Sequence, residues 1–290
     1  MSFDKISVTA KLTAYMRQFS DIPYAKDIAE AVHARQAFDD LVRTHGLSPG
    51  DLLWYAPIFE VRYKSIAARL RASGIDQVLE LASGLSLRGL AMTEENAELT
   101  YVETDLEGLT AEKRTLVAGL RRRHRLPDNE RHQLRTANAL ELPALWHATV
   151  SFHRDRPIAV VSEGLLQYLS AAELEQVAGN VHALLDAFAP GGLWLTPDFS
   201  FKDEAAPLSE RQRRFRAVVT GATDRQMYEN AFADAAALEA FLARFAFTSV
   251  QLRQLDEVSS LTSPAALGLA QETVERLRPR LRLWLLSAKS

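Results

Sequence analysis

Apolar runs and helical patterns alternate along the chain from Gln77 onward. The run Gln77–Leu81 is apolar at nearly every position, which is typical of a strand covered on both faces in a parallel sheet. Similar short runs predict further strands at 99–106, 133–140, 158–162, 193–196, 249–255 and 281–287. Because helical segments separate these runs, the sequence predicts an α/β fold built from parallel βαβ units.

Local signals mark several of the intervening helices. One helix is expected from about Thr110 to Arg125, and another begins at Ser170, where Ser170 and Glu173 stand at capping-box spacing, and runs to Phe188. Further helices are expected over 234–245 and from 263 onward. The polar stretch from 198 to about 224 has the composition of a long excursion over a binding site.

The first 74 residues contain no convincing strand. Amphipathic segments cover 25–44 and the stretch that begins at Ser48, and Gly74 ends the helical run that contains 65–70. We therefore predict an N-terminal helical lid over 1–74 and a sheet domain over 75–290, with a lid insertion at about 200–233.

Composition narrows the class of protein. A chain of 290 residues with 47% hydrophobic content buries a large core, which excludes disorder as the main state. A formal net charge of -3 gives no steering toward nucleic acid or an anionic membrane, and the basic run 121–125 is interpreted as the cationic end of a helix. The absence of cysteine excludes disulfides and thiolate chemistry. We expect a cytoplasmic monomer or homodimer with no metal, nucleic-acid or membrane partner.

Polar residues stand where the predicted parallel strands end, which is where ligands bind in open α/β sheets. They are Glu80 and Gly84 after the first strand, Glu103 and Asp105 after the second, Asn138 after the third and Glu163 after the fourth. An acid 23 positions after Glu80 suits two ribose hydroxyls, and an asparagine amide suits an adenine edge. Each alone is equally a strand-end residue facing water; together they predict a nucleotide-like cofactor.

The turn after the first predicted strand distinguishes between cofactors. Ala82, Ser83 and Gly84 have small side chains, so the backbone can approach a ligand and the next helix directs its amides at it. The stretch A-S-G-L-S-L lacks the third small residue of G-x-G-x-x-G, which argues against a nicotinamide cofactor. S-adenosylmethionine needs one glycine turn, an acid for ribose and cations for its carboxylate, for which Lys11 and Arg62 are the candidates.

Several motifs in their order resemble the leucine carboxyl methyltransferase family. The stretch ELASGLSLR at 80–88 is similar to the family's E-x-G-x-G-x-D-[ST]-R, and SEGLLQYL at 162–169 is similar to E-G-[LV]-L-x-Y-L. VRYKSIAARL, YVETDLEGL, TANALEL and APGGLWLTPDF resemble further family segments, and the likeness covers roughly 9–199.

The resemblance implies a Rossmann-like class I methyltransferase. Its expected architecture is a mostly parallel seven-stranded sheet with helices on both faces and an N-terminal helical lid. Its cofactor would be S-adenosylmethionine, and the methyl group would go to an oxygen, often a carboxylate or hydroxyl, of a small metabolite acting as the methyl acceptor. A protein C-terminus is the alternative acceptor.

The resemblance also implies roles for individual residues. At the amino-acid part of the cofactor, Lys11 and Arg62 would hold the carboxylate, Glu163 would receive the amino group, and Ala82 and Gly84 would line the methionine chain. At the nucleoside part, Glu103 and Asp105 would hold the ribose, and Asn138 and Ala139 would border the adenine. Glu80 completes the set of cofactor-binding residues. The role of Arg88 stays open. No catalytic residue is assigned, since an ionised acceptor needs no base, and Tyr24, Tyr168 and Tyr228 are candidates for the acceptor pocket.

The chain departs from the family pattern at three positions. Ala82 replaces a glycine, Ser86 replaces an aspartate and Asn138 replaces an aspartate. These changes keep a second hypothesis open, in which the protein is a non-catalytic relative that binds the cofactor and acts as a partner or regulator.

Overall fold

The computed structural model of the protein describes residues 3–202, 210–223 and 227–288. The strands in these residues are β1 (Gln77–Leu81), β2 (Thr100–Asp105), β3 (His132–Thr136), β4 (Ala159–Ser162), β5 (Leu193–Thr196), β6 (Phe247–Arg253) and β7 (Arg282–Ala288). They form one seven-stranded sheet in the order β3-β2-β1-β4-β5-β7-β6. The Rossmann-like architecture predicted from the sequence is therefore confirmed.

Strand direction changes at one end of this sheet. Strands β1 to β5 run parallel to one another, as the alternating pattern predicts. Strand β7 runs antiparallel to both β5 and β6, so β6 has the direction of the first five strands, and among the described strands the prediction of parallel units fails for β7 alone. An antiparallel neighbour needs no long crossover helix, and the segment between β6 and β7 holds only short helices.

Helices cover the sheet and precede it. Those before β1 are α1 (Phe3–Arg17), α2 (Ala25–Ala31), α3 (Ala34–Thr44), α4 (Gly50–Leu53) and α5 (Ala56–Ser73). Those that follow are α6 (Arg88–Glu95), α7 (Glu107–His124), α8 (Leu142–Ala148), α9 (Ala171–Asp186), α10 (Glu210–Thr223), α11 (Ala235–Arg244), α12 (Ser263–Ala266) and α13 (Gln271–Glu275). In the described part of the chain, none of these helices is both long enough and apolar enough to cross a bilayer.

The helix ends predicted from the sequence are found in the structure. Helix α5 ends at Gly74, which has a φ of 67° and takes the left-handed conformation that glycine adopts at no steric cost. Ser170 accepts a hydrogen bond from the Glu173 amide and Glu173 accepts one from the Ser170 amide, which completes the predicted capping box. The basic run at 121–124 forms the last turn of α7.

The third strand is shorter than predicted. It ends at Thr136, because the Asn138 side chain accepts a hydrogen bond from the Leu140 amide at 3.1 Å and closes a turn. Asparagine commonly competes with strand pairing in this way. Asn138 and Ala139 consequently lie in a loop at the carboxyl edge of the sheet.

The N-terminal helices share an apolar core with the sheet part of the chain. Met16 of α1 and Phe38 of α3 belong to the same buried cluster as Leu90 of α6 and Leu109 of α7. Aliphatic burial on this scale contributes about 1.5–3 kcal/mol per fully buried side chain. The first five helices are therefore packed onto the sheet unit. Their role as a lid over the site stays a prediction.

Candidate functional site

A cavity of about 370 Å³ lies at the carboxyl ends of β1, β2 and β4. Helices α1 and α5 line it on one side and the turn after β1 lines it on the other. The sequence-predicted residues that line it are Arg62, Glu80, Ala82, Gly84, Asp105, Asn138, Ala139, Glu163, Tyr168 and Tyr228. The remaining three, Lys11, Glu103 and Tyr24, do not line this cavity.

The turn after β1 exposes its backbone to the cavity. Gly84 has a φ of 54°, and a Cβ built there would meet nothing within 4 Å. The Gly84 and Leu106 amides each donate a 2.8 Å hydrogen bond to one oxygen of the Asp105 carboxylate. Ala82 also has a positive φ, 48°, which costs a non-glycine residue about 1–2 kcal/mol.

Asp105, the last residue of β2, lines the cavity as a buried carboxylate. Burial raises its pKa above the ordinary value, against the opposing effects of the Gly84 and Leu106 amides and of the Lys113 charge. Each carboxylate oxygen accepts one backbone hydrogen bond and keeps a lone pair for a further donor. Vicinal hydroxyls of a sugar match this arrangement.

Glu163, at the opposite end, is surrounded by guanidinium groups. Its carboxylate accepts a 2.6 Å hydrogen bond from Arg17 and another from Arg88, and Arg62 Nε lies 3.8 Å away. Burial would raise the pKa of Glu163, but the charges of Arg17, Arg88 and Arg62 outweigh it and lower that pKa to about 2. Glu163 is therefore an ionised group that can accept hydrogen bonds from an ammonium.

Arg88, whose role the motif left open, connects two strand ends. It is completely buried and donates hydrogen bonds to both Glu163 after β4 and Glu80 in β1. The Tyr101 hydroxyl donates to the other Glu80 oxygen at 2.7 Å, and the Tyr63 ring lies 4.7 Å from the guanidinium carbon. Arg88 thus fixes both acids at the floor of the cavity.

Arg62 of α5 lies between Glu163 and a second buried acid. It donates a hydrogen bond to Asp198, whose carboxylate also accepts from the backbone amides of residues 164, 165 and 166. Burial would lower the pKa of Arg62, but Asp198 and Glu163 together raise it. The arginine is held charged at the wall of the cavity.

Arg17 is a site residue that sequence reasoning missed. It lines the cavity and pairs with Glu163, whereas Lys11, the cation singled out on the same helix, does not line it. Arg17 stands six positions after Lys11, which places the two side chains about 120° apart around the helix axis. The signal that identifies Arg17 is helical spacing: Ala10, Thr13 and Arg17 follow one face, and all three line the cavity.

Glu103 lies beneath the helices and away from the cavity. It stands two residues before the end of β2, where the Gly89 amide of α6 donates to it at 2.8 Å and Lys113 of α7 lies 2.8 Å away. Burial would raise its pKa, but Lys113 and His132 lower it to about 2. A Cβ at Gly89 would lie 2.7 Å from the Glu103 carboxylate, so α6 approaches β2 this closely only with glycine there.

The loop after β3 forms a further part of the cavity wall. Asn138 accepts from the Leu140 amide and donates to Glu141 at 3.1 Å, so its amide first serves the turn. Ala137 and Ala139 flank it and give the cavity an apolar border. A planar base at this loop would therefore contact apolar side chains, and it would not contact a buried charge.

Aromatic side chains line the cavity on the side of α5 and of the segment after α10. They include Tyr55, Phe59, Tyr168 and Tyr228. Burial raises the pKa of Tyr168 to about 12, so its hydroxyl keeps its proton at neutral pH and is unsuited to act as a base. Tyr24 lies elsewhere, with its hydroxyl donating to Glu94.

Comparison with solved structures shows the same fold in methyltransferase-related proteins. A candidate methyltransferase from Thermobifida fusca YX matches with a TM-score of 0.57 and 18% identity over 89% of this chain and 88% of that one. A DUF574-family protein from Streptomyces avermitilis MA-4680 matches with a TM-score of 0.61 and 15% identity over 97% of both chains. An O-methyltransferase family protein from Burkholderia thailandensis matches with a TM-score of 0.51 and 14% identity over 93% of this chain and 63% of that one.

These likenesses, with the cavity at the strand ends, define the class as a Rossmann-like methyltransferase fold. The sequence profile of the family described as leucine carboxyl methyltransferase matches residues 14–182, more than half of the chain. The chain belongs to the leucine carboxyl methyltransferase family. A search of curated protein sequences gave no match.

The family uses S-adenosylmethionine, which confirms the cofactor expected from the sequence. The residues of the cavity fit it: the Asp105 carboxylate suits ribose hydroxyls, Glu163 suits an amino group, and Arg17 with Arg62 suits a carboxylate. Among the residues that the structure describes, the buried Arg17 Nε has no hydrogen-bond partner, which leaves a donor for such a ligand.

Proposed function

We propose that this protein is an S-adenosylmethionine-dependent O-methyltransferase that methylates a carboxylate or hydroxyl oxygen of a small metabolite. The observation that carries the proposal is the division of the cavity into charged ends suited to the cofactor and an aromatic wall suited to an acceptor. The alternatives are carboxyl methylation of a protein C-terminus and a non-catalytic role in which the bound cofactor serves a partner or regulator.

The charged end suits an amino acid in its zwitterionic form. Glu163 can accept the ammonium, while Arg17 and Arg62 can donate to the carboxylate. Such charge-assisted hydrogen bonds are the strong ones, each contributing about 1.5–3 kcal/mol. Arg88 keeps Glu163 in position by holding its second oxygen from beneath.

The bound cofactor supplies a methyl group already activated by the positive charge of its sulfonium. The protein then mainly has to align the acceptor and exclude water. Tyr55 directly before α5, Phe59 of α5 and Met227 beyond α10 present an apolar surface that suits both tasks.

Proton chemistry supports an acceptor that arrives ionised. Among the described residues that line the cavity there is neither histidine nor lysine, and Tyr168 holds its proton at neutral pH. A carboxylate needs no base, whereas an alcohol would gain from one. A net charge of -3 gives no attraction for nucleic acid or an anionic membrane, which supports a small acceptor. We further propose that the chain is a cytoplasmic monomer or homodimer.

Binding is the first test. Calorimetry with S-adenosylhomocysteine should give a saturable heat, and NAD should give none. Heat with NAD and none with S-adenosylhomocysteine would contradict the proposal.

Methyl transfer is the second test. Incubation with methyl-labelled cofactor and fractionated cell extract should place label in a small ester that mild alkali cleaves. Alkali-cleavable label on a protein would indicate a protein C-terminus as acceptor, and alkali-stable label would exclude a carboxylate. Binding of S-adenosylhomocysteine with no transfer in any fraction would favour the non-catalytic role.

A further inference from the structure

Lys113 of α7 forms a buried charge cluster directly beneath the cavity. Its ammonium lies 2.8 Å from Glu103 Oε2 and donates to Ser83 Oγ at 3.0 Å. The residue is 1% exposed. Lysine is almost never fully buried unless it is paired, so a lysine at this place reflects a specific arrangement of charge.

We propose that Lys113 is a positioning residue of the cofactor site, which fixes the turn after β1 through Ser83 and supplies the positive charge that keeps Asp105 ionised for ribose hydroxyls. The inference rests on the proposed function, because it takes Asp105 as the ribose acceptor. It adds a residue outside the cavity whose effect on cofactor binding depends on pH.

The mechanical part follows from three hydrogen bonds around the turn. The Ser83 amide donates to the Thr104 carbonyl at 2.9 Å and the Gly84 amide donates to Asp105, so the turn is attached to the end of β2. Lys113 attaches it a third time, from α7, through the Ser83 hydroxyl. The small side chains of this turn give it no packing of its own, so these bonds define its position.

The electrostatic part of the proposal follows from which buried cation lies near which buried carboxylate. The charge of Lys113 acts on Glu80 of β1 and on Glu103 and Asp105 of β2. Glu80 has Arg88 as its own partner, and Glu103 also faces His132 at 3.4 Å. Lys113 is the cation that acts on Asp105.

Ionised Asp105 is what the ribose end requires. Its two oxygens already accept the amides of Gly84 and Leu106, and their remaining lone pairs are available to a ligand. Protonation would turn one oxygen into a donor and remove an acceptor from sugar hydroxyls. Burial raises the pKa of Asp105, and loss of the Lys113 charge would raise it further.

The experiment measures S-adenosylhomocysteine affinity by calorimetry from about pH 8 down to about pH 5.5, with folding monitored by circular dichroism. The variants are Lys113→Met, which keeps the length of the side chain and removes the charge, and Ser83→Ala, which removes only the hydrogen bond. The third is the double variant Lys113→Met/Glu103→Gln, which removes both charges of the buried pair and serves where Lys113→Met alone fails to fold.

We expect Lys113→Met to bind about tenfold more weakly at neutral pH, and its affinity to begin to fall at a higher pH than that of the wild type, since protonation of Asp105 then competes with binding. Ser83→Ala should weaken binding by a factor of about three at every pH, because the charge remains. The double variant should show a smaller shift of the pH profile in the same direction, because Glu103→Gln also removes a nearby negative charge.

A folded Lys113→Met or double variant with the pH profile of the wild type would overturn the inference, as would wild-type affinity in both. A wild type that fails to bind S-adenosylhomocysteine at any pH would overturn the proposed function, and with it the assignment of ribose to Asp105. Normal wild-type binding combined with an equal loss at every pH in the variants would overturn only the electrostatic role of Lys113.

Discussion

The two ends of the cavity hold their carboxylates in opposite ways. Glu163 lies among three guanidinium groups, and their charges lower its pKa to about 2 despite its burial. Asp105 accepts hydrogen bonds from two backbone amides, and burial raises its pKa against these amides and the charge of Lys113. One acid is surrounded by several positive charges, whereas the other is held as a carboxylate mainly by backbone amides.

This difference separates two kinds of vulnerability. The Glu163 end tolerates acid but not mutation, because removing the carboxylate takes away the acid that Arg17 binds and leaves Arg88 with Glu80 alone. The Asp105 end tolerates mutation better, since backbone amides remain, but it responds to pH. A site can therefore be rigid at one end and adjustable at the other.

The largest effect expected is on stability, from Glu163→Gln. Arg17 and Arg88 would lose their shared acid in a buried place, which costs about 3–5 kcal/mol. The matched control is Asp105→Asn, which keeps an acceptor for a backbone amide and should cost about 1–2 kcal/mol. Denaturant unfolding of both variants measures the difference, and an equal or reversed order would remove the contrast between the two ends.

Cofactor affinity should separate the cations of the N-terminal helices. Arg17→Ala and Arg62→Ala should each weaken S-adenosylhomocysteine binding by about 1.5–3 kcal/mol, the size of a lost charge-assisted hydrogen bond. The fold should survive Arg62→Ala, because three backbone amides still bind Asp198.

Lys11→Ala is the matched control on the same helix as Arg17. Lys11 does not line the cavity, so this change should cost less than about 0.5 kcal/mol of cofactor affinity. Calorimetry that found Lys11 and Arg17 equally important would mean that α1 binds the cofactor with a different face.

Acidification of the wild type should affect the two ends in turn. The depressed pKa of Glu163 contributes stability that is fully present above its ordinary value of 4.5 and is lost only as the pH falls toward about 2. The raised pKa of Asp105 means that this carboxylate takes up its proton above 3.8, its ordinary value. S-adenosylhomocysteine affinity should therefore decline at a higher pH than the fold. Coinciding midpoints in calorimetry and circular dichroism would contradict this order.

The smallest effect concerns the turn that joins the two ends. Ala82 has a φ of 48°, so Ala82→Gly removes the strain of a left-handed alanine but increases the freedom of the unfolded chain. The net result should be a gain of up to about 1 kcal/mol in unfolding free energy. Gly84→Ala is the opposite control: space is open at its Cβ, yet its φ of 54° should make the change destabilising. A loss of stability in Ala82→Gly would show that the strain is relieved elsewhere.

Much of the fold was readable because its signals are local. The apolar run Gln77–Leu81 is β1 residue for residue, and the capping box at Ser170 and the glycine at 74 fix the ends of two helices. Each of these signals acts over a few residues, where propensity and hydrogen bonding determine the outcome. Strand direction is not local, and the antiparallel β7 was accordingly missed.

The sequence predicted where the site residues stand along the chain better than it predicted which way their side chains point. Motifs located Asp105, Asn138 and Glu163, because each lies at the end of a strand or within two residues of it. They could not decide between Lys11 and Arg17, which lie on different faces of one helix, or recognise that Glu103 is covered by α6 and α7. Facing depends on how helices pack onto the sheet, which neighbours in sequence do not determine.

The place of β7 in the sheet has a consequence for synthesis on the ribosome. Strand β6 is made earlier, yet in the described residues it joins the sheet only through β7, which lies between β5 and β6. The parallel strands β1 to β5 can assemble while 282–288 are still inside the exit tunnel, but β6 has to wait for them. A chain truncated before Arg282 and released from the ribosome should thus keep 247–253 open to protease while the cofactor half is already protected, and protection of that segment would contradict this order of assembly.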